Sequence, residues 1–99
     1  MNIYNFKPPT IDEDFHTLFK GKNLEIIRIV SSDKLEVKEY NQKEDEFVVL
    51  LEGNAKLEIE GKVKELKKGD YIHIPAFTKH KVLQTSKGTL WLAIHFKNS

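Results

Sequence analysis

A glutamate and a histidine on separate predicted strands are the side chains of this sequence best suited to chemistry. Glu46 precedes the apolar run at residues 47–51, and His80 opens a later segment in which Val82 and Gln84 follow at two-residue spacing. A carboxylate directed into an apolar interior is costly unless it is paired, protonated or bound to a cation. The pair therefore predicts an acid–base or metal-binding site, or else a hydrogen-bonded couple that only stabilises the core.

A further histidine, His95, could complete a set of metal ligands. It shares one face of the last predicted strand with Trp91 and Ala93. Zinc and non-haem iron are typically held by three protein ligands drawn from neutral histidine and carboxylate. Glu46, His80 and His95 are thus a candidate metal-ligand set. The sequence leaves open whether this face points inward, because His95 could equally be a core or edge histidine.

Three side chains with amide or hydroxyl groups belong to the predicted ligand pocket. Tyr40 and Gln42 are weak metal ligands, and their groups suit an organic oxyanion or a carbonyl better than a divalent ion. Gln84 is expected on the same strand face as His80 because residues alternate across a strand. Residues 43–45, Lys-Glu-Asp, are expected to form a solvated loop at the pocket mouth.

The other two histidines are not expected to belong to a site. His73 shares a strand face with Tyr71 and is expected at the surface or an interface, and His16 lies in a polar part of its segment. No Ser-His-Asp order, phosphate-binding glycine loop or HExxH motif is present. The chain has no cysteine, which excludes disulfides, thiolate metal sites and a cysteine nucleophile.

Composition predicts one globular domain spanning residues 1–99. Hydrophobic residues make up 39% and charged residues 31% of the 99-residue chain, and the net charge is only +1. This balance gives no electrostatic reason to expect a nucleic-acid partner. No apolar stretch approaches the ~18 residues of a membrane helix. The N-terminus lacks the pattern of a secretion signal, so we expect a cytoplasmic location and no membrane partner.

The first 21 residues are predicted to form an extended leader and one short helix, roughly residues 11–20. Thr10 and Glu13 fit a capping box at a helix start, and Gly21 is a natural helix end. Between them, apolar residues recur at helical spacing: Ile11, Phe15, Leu18 and Phe19. The aromatic face of this helix is expected to cover a sheet.

From about residue 24 to residue 97 the pattern is that of short strands separated by turns. Apolar residues alternate with polar ones, and glycine, asparagine, aspartate or serine marks each turn. Such spacing predicts an all-β antiparallel sandwich or barrel. The predicted strands cover residues 24–30, 35–39, 46–52, 55–60, 63–66, 71–74, 80–85 and 90–96.

Two motifs in this strand region resemble those of the cupin family. Glu46 and Gly53, with six residues between them, resemble the second half of the first cupin motif. Gly69, Pro75 and His80 keep the spacings of the second motif. The resemblance covers most of the chain and implies a small single-domain cupin, an antiparallel jelly-roll β-barrel with Glu46 and His80 facing its interior.

The first motif departs from that of metal-binding cupins, which opens with two histidines. The family places these histidines three or four residues before the glutamate. In this sequence the shorter spacing gives Tyr40 and Gln42, and the longer spacing gives Glu39 and Asn41. In the second motif Phe77 replaces a glycine. The resemblance therefore implies the fold of the family and only half of its usual metal site.

Three functions are compatible with these residues. The first is a small cupin domain whose polar barrel pocket binds a small molecule, or weakly a metal ion. The second is a metal-dependent oxygenase or isomerase in which Glu46, His80 and His95 hold one divalent zinc, iron, manganese or nickel ion and Tyr40 donates a proton. The third is a structural module. Central strands that are apolar on both faces also predict a homodimer, because large exposed apolar patches are rare on monomers.

Overall fold

The protein, described by a computed structural model over residues 1–97, is built from nine antiparallel strands in two sheets. One sheet has the strand order β1-β2-β9-β4-β7 and the other the order β3-β8-β5-β6. This arrangement confirms the predicted all-β jelly-roll fold. The strands are β1 Glu13–Lys20, β2 Leu24–Ser31, β3 Glu39–Tyr40, β4 Asp45–Glu52, β5 Asn54–Ile59, β6 Lys62–Lys67, β7 Tyr71–Ile74, β8 His80–Thr85 and β9 Thr89–Phe96.

The hydrophobic core lies between the inner faces of the two sheets. Because side chains alternate across a strand, every second residue of the central strands β4, β5 and β9 points into this space. The buried core residues are Ile27, Val48, Leu50, Ala55, Leu57, Leu66, Trp91 and Ala93. Because side chains alternate, the packing of these core residues also determines which polar residues of the same strands face inward, namely Glu46 on β4 and His95 on β9.

The predicted helix at residues 11–20 is wrong, because most of this segment forms strand β1. An isolated helix this short is marginal in water, whereas β1 gains a hydrogen-bonded ladder along β2. A β-bulge interrupts the ladder between Thr17 and Phe19. Before the bulge, Phe15 pairs with Ile29 and both side chains lie on the inner face of the sheet. After the bulge, Phe19 pairs with Ile26 and lies on the outer face. No helix is found among residues 1–97, and hence none that could cross a membrane.

The connection from β4 to β5 carries the chain from one sheet to the other at Gly53. This residue has φ +92°, and a Cβ atom there would lie 2.5 Å from the Thr89 hydroxyl oxygen. A side chain is therefore excluded by both backbone conformation and space, which explains a glycine at this point of the motif. The predicted strand at residues 35–39 is shorter than expected, since β3 contains only Glu39 and Tyr40.

Candidate functional site

A pocket opens between the two sheets at one end of the barrel. Its cavity volume is about 70 Å³, within a hollow of about 520 Å³ when the open mouth is counted. Most of the wall consists of apolar and aromatic side chains, among them Phe15, Ile29 and Trp91. Its polar side chains are Glu13, Tyr40, Gln42, Glu46, His80 and His95.

Both sheets contribute to the polar end of this pocket. Glu46 on β4 lies directly opposite His95 on the neighbouring strand β9. His80 on β8 lies directly opposite Tyr40 on β3, in the other sheet. The structure therefore brings together five of the predicted pocket residues, including His95, whose face the sequence left open. Whether they bind a ligand stays a prediction.

The Glu46 carboxylate lies between two imidazole rings. His80 Nε2 is 3.6 Å from Glu46 Oε1, and His95 Nε2 is 3.5 Å from Glu46 Oε2. The Gln42 amide nitrogen donates a long hydrogen bond of 3.5 Å to Oε1. The Tyr40 ring stacks on His80 with a centroid distance of 5.7 Å. We call Glu46, His80 and His95 the inner trio.

The orientation of the His80 ring follows from its second nitrogen. Nδ1 lies 2.9 Å from the Thr78 carbonyl oxygen, and a carbonyl can only accept, so Nδ1 carries a proton. A neutral ring would then present a lone pair at Nε2 to the negatively charged Glu46. Protonation of Nε2 replaces this repulsion with an ion pair.

The pKa values of the inner trio are set by burial and by the contacts among its three side chains. Burial alone would raise the pKa of Glu46, but its interactions with His80 and His95 outweigh burial and lower it to about 2. Burial lowers the pKa of His80, while the contact with Glu46 outweighs this and raises it. The contact with Glu46 likewise raises the pKa of His95. The site therefore favours a carboxylate held between imidazolium rings that can donate a proton.

The predicted metal ligands are not arranged as a metal site. Across residues 1–97, no group of three or more His, Cys, Asp or Glu side chains is placed to hold a metal ion. The Nε2 atoms of His80 and His95 already face the carboxylate oxygens of Glu46. A histidine ligand must be neutral, and the ion pairs favour the protonated rings instead. Whether the inner trio binds an organic ligand or a metal ion stays a prediction.

The prediction that Gln84 faces the pocket is wrong. Leu57 of β5 pairs with Val82, but the next position, Lys56, pairs with Gln84, so one residue of β8 is left as a bulge. The bulge reverses the alternation of inner and outer faces after Val82. Gln84 is consequently exposed on the outer face of the smaller sheet.

Residues 43–45 are not simply a solvated loop. Asp45 is buried and is the first residue of β4. Its Oδ2 lies 2.8 Å from His73 Nε2, and its Oδ1 accepts a hydrogen bond from the Ala76 amide at 3.1 Å. Because Asp45 and Glu46 are adjacent on a strand, this second pair lies on the outer face. The exposed His16 and the half-exposed His73 are both outside the pocket.

Glu13 is a pocket residue that the sequence interpretation missed. Its Oε2 accepts a short hydrogen bond from the Ser31 hydroxyl, and the Ser31 oxygen accepts one from Trp91 Nε1 at 3.0 Å. The sequence pattern places Glu13 in a helix capping box and therefore does not predict it in the pocket. The two-residue spacing of Glu13, Phe15 and Thr17 is the signal that could have indicated an inward strand face.

Solved structures from several organisms share this fold. A Ralstonia eutropha JMP134 protein, provisionally described as a mannose-6-phosphate isomerase, is 30% identical with a TM-score of 0.87; the match covers 99% of this chain and 97% of that chain. A cupin superfamily protein of Desulfitobacterium hafniense DCB-2 is 18% identical with a TM-score of 0.81, covering 97% and 87%. A Streptococcus pyogenes protein of unknown function is 20% identical with a TM-score of 0.80, covering 92% and 79%.

The amino-acid sequence was also compared with curated proteins and with family models. No curated protein matches this chain significantly. The model of the Cupin_2 family, described as a cupin domain, matches residues 29–95, which is more than half of the chain. That range contains Glu46, His80 and His95 together with both of the motifs described above. The chain therefore belongs to the Cupin_2 family of cupin domains.

Proposed function

We propose that this protein is a ligand-binding cupin domain whose pocket takes a small organic molecule with a hydroxyl or carbonyl group. The observation that carries the proposal is the convergence of Glu46, His80 and His95 on one another in a pocket whose wall is mostly apolar and aromatic. Buried titratable groups beside open space are typical of binding sites. A purely structural ion pair needs no such space.

The size of the pocket limits what can reach the inner trio. A water molecule occupies about 30 Å³ in the liquid, and sites for drug-sized ligands measure about 300–1,000 Å³. The inner cavity of about 70 Å³ therefore accepts only a group of a few atoms. The rest of a larger ligand must lie in the open mouth.

Five of the six polar side chains have a defined role in this proposal. The imidazole N–H groups of His80 and His95 donate to a ligand oxygen, and the Glu46 carboxylate accepts from a ligand hydroxyl. The Gln42 amide and the Tyr40 hydroxyl add donors at the rim. The apolar wall contacts the carbon atoms of the ligand.

Substitution of Glu46 by glutamine tests the proposal without removing a side chain. The probes are glycerol, D-mannose and dihydroxyacetone, followed by NMR through the imidazole signals of His80 and His95. We expect at least one probe to shift these signals in the wild type and to bind about tenfold more weakly to Glu46→Gln, since a hydrogen bond to a charged group contributes about 1.5–3 kcal/mol.

The matched control is Glu39→Gln, which changes an exposed carboxyl on the strand that carries Tyr40. This variant should bind like the wild type. If no probe shifts the imidazole signals, or if Glu46→Gln binds as tightly as the wild type, the pocket is not a ligand site of this kind.

The alternative is a metal-dependent isomerase or oxygenase. Its support is the 30% identity to the Ralstonia eutropha protein whose provisional description names an isomerase. Metal analysis of protein purified without an affinity tag, and conversion of mannose 6-phosphate with zinc, iron, manganese or nickel added, test this alternative. A stoichiometric metal that is lost in both Glu46→Ala and His80→Ala would favour it over the ligand-binding domain.

A homodimer is part of the same proposal, and a cytoplasmic location stays a prediction. Two neighbouring rows of paired residues on the outer face of the larger sheet carry half-buried apolar side chains. The first row contains Ile26, Ile94 and Phe47, and the second contains Leu92 and Val49. Such a surface can bury itself against a second copy about a twofold axis. Ile94→Lys should therefore convert dimers to monomers in sedimentation experiments, whereas Val63→Lys on the smaller sheet should not.

A further inference from the structure

Glu13 is a second carboxylate in the pocket, and the proposed function does not use it. It lies on the inner face of β1. It also lines a neighbouring pocket of about 50 Å³ that shares Phe15, Tyr40 and Val82 with the first. Glu13 therefore lies where the two cavities meet, and a ligand that extends from the inner trio into the neighbouring pocket passes beside it.

A directed hydrogen-bond chain holds the Glu13 carboxyl in place. The indole N–H of Trp91 can only donate, so the Ser31 oxygen accepts from it and the Ser31 proton points to Glu13 Oε2. Ser31 is fully buried and Trp91 is 3% exposed, so water does not compete for these bonds. Within residues 1–97 the other oxygen, Oε1, makes no hydrogen bond. It is a positioned acceptor without a protein donor.

The backbone beside Glu13 is anchored as firmly as its side chain. Asp12 has φ +56°, a left-handed conformation that costs a non-glycine residue free energy. Its Oδ1 accepts a hydrogen bond of 2.6 Å from the Glu36 amide, and its carbonyl accepts one of 2.8 Å from the Ser32 amide. These contacts fix the start of β1 and the direction in which Glu13 enters the pocket.

The charges near Glu13 disfavour an anion on this side of the pocket. Asp12 and Glu36 line the neighbouring cavity together with a single cation, Lys38. A phosphate or carboxylate placed here would meet the carboxyl groups of Glu13 and Asp12. The charge of the exposed Glu36, by contrast, is offset by Lys38, whose Nζ lies 3.9 Å from Glu36 Oε2. The anion would also leave Glu13 Oε1 without a hydrogen-bond donor from the ligand. A neutral hydroxyl group satisfies that oxygen at no electrostatic cost.

We propose that Glu13 determines ligand specificity: it accepts a hydrogen bond from a hydroxyl of a neutral polyhydroxy compound and disfavours the phosphorylated form of the same compound. The inference rests on the proposed ligand site and assigns it a chemical class. A ligand with two or more hydroxyl groups would reach both Glu13 and Glu46, which line the same pocket.

The only tryptophan of the chain lies in this pocket, which makes the proposal measurable. The indole N–H signal of Trp91 reports occupancy by NMR, free of other tryptophans. The probes are two matched pairs, glycerol with glycerol 3-phosphate and D-mannose with mannose 6-phosphate. Burial raises the pKa of Glu13 against the lowering effect of the Ser31 hydrogen bond, so the titrations are made at pH 8, which favours the ionised carboxyl, and also at pH 6.5, which favours the protonated rings of His80 and His95.

We expect the neutral member of a pair to bind the wild type about tenfold more tightly than its phosphorylated partner, given the like-charge repulsion at short range. In Glu13→Gln this ratio should fall towards one, mainly because the phosphorylated member gains affinity. Glutamine retains an oxygen that can accept from Ser31, so the pocket should keep its shape. Glu39→Gln, with its exposed side chain, is the matched control and should keep the wild-type ratio.

The outcomes separate this inference from the proposed function. Equal or tighter binding of the phosphorylated probes to the wild type, or an unchanged ratio in Glu13→Gln, overturns the role of Glu13 and leaves the ligand pocket standing. If none of the probes binds to any of the proteins, the proposed function fails as well. A wild-type protein without a preference for the neutral probes overturns the inference even if Glu13→Gln does not fold.

Discussion

Two carboxylate–histidine pairs originate from adjacent residues of β4 and lie on opposite faces of the sheet. On the outer face Asp45 Oδ2 lies 2.8 Å from His73 Nε2, and the His73 side chain is 48% exposed. On the inner face the contacts of Glu46 with His80 and His95 measure 3.6 and 3.5 Å, and the His80 side chain is only 7% exposed.

The shorter pair is the one with the structural role. Both oxygens of Asp45 are occupied, one by His73 and the other by the Ala76 amide, so Asp45 attaches the loop after β7 to the start of β4. The longer contacts of Glu46 border an open cavity, and they can be exchanged for contacts to a ligand. Buried charge beside empty space, rather than the pairing itself, therefore distinguishes a candidate site from a structural contact.

The largest expected effect that sharpens this comparison is the pH dependence of stability. The pKa of Glu46 is lowered from 4.5 to about 2, so its contribution is complete above about pH 4.5 and is lost as the pH falls towards 2. One pKa unit corresponds to about 1.36 kcal/mol, so acid should remove up to about 3 kcal/mol of unfolding free energy. Urea unfolding between pH 2 and 9 measures it.

For His80 and His95 the pH dependence of stability has the opposite sign, because their contribution is lost as the pH rises. The pKa values of His80 and His95 are raised above 6.5, so their contribution is complete below about pH 6.5 and is lost as the pH rises through the raised values. The inner trio should thus stabilise most between about pH 4.5 and 6.5. Glu46→Gln should flatten both slopes, and a curve parallel to the wild type would contradict the coupling.

The next effect concerns the outer pair. Asp45→Ala removes two hydrogen bonds and leaves the Ala76 amide without that acceptor, which should cost about 2–3 kcal/mol of unfolding free energy. For a domain of this size the melting temperature should fall by about 10–20 °C in a thermal scan. Glu44→Ala, one residue earlier, is the control and should melt close to the wild type. A similarly stable Asp45→Ala would remove the structural role assigned to this pair.

The parts of the site that the sequence predicted depend on regular alternation. Glu46 and Val48 of β4 are two residues apart, as are Ala93 and His95 of β9, and both pairs lie on faces whose apolar members the core requires. The two-residue period grouped His95 with Trp91 and Ala93 on one face but left open whether that face points inward, and the inward direction of Glu46 followed from the resemblance to the cupin motifs. His80 followed from the resemblance to the cupin motifs and from the same alternation.

The parts that the sequence did not predict are set by irregularities and by long-range pairing. Gln84 was misplaced because a bulge before it reverses the alternation of β8. Glu13 was missed because a helical spacing of apolar residues concealed a strand that only pairing with β2 stabilises. Neither the bulge nor the partner strand has a local signature strong enough to predict.

The smallest expected effect concerns Phe77, on the loop that Asp45 holds. Phe77 has φ +60° and a side chain that is 72% exposed, so its conformation is costly and its ring buries little surface. Phe77→Gly should raise the unfolding free energy by about 0.5–1 kcal/mol, since relief of about 1–2 kcal/mol of strain is offset by the greater entropy of glycine when unfolded. Phe77→Ala keeps the Cβ atom and should show no such gain in urea unfolding.

The same substitution also tests whether Asp45 imposes the strained conformation. The loop is fixed by the Asp45 bond to the Ala76 amide and by a hydrogen bond of 2.7 Å from the Phe77 amide to the Gln42 carbonyl. If Asp45 enforces the left-handed conformation, the loop relaxes in Asp45→Ala and the gain from Phe77→Gly shrinks in that background. Equal gains in both backgrounds would assign the strain to the Gln42 contact, and with it to the segment that carries the pocket residues.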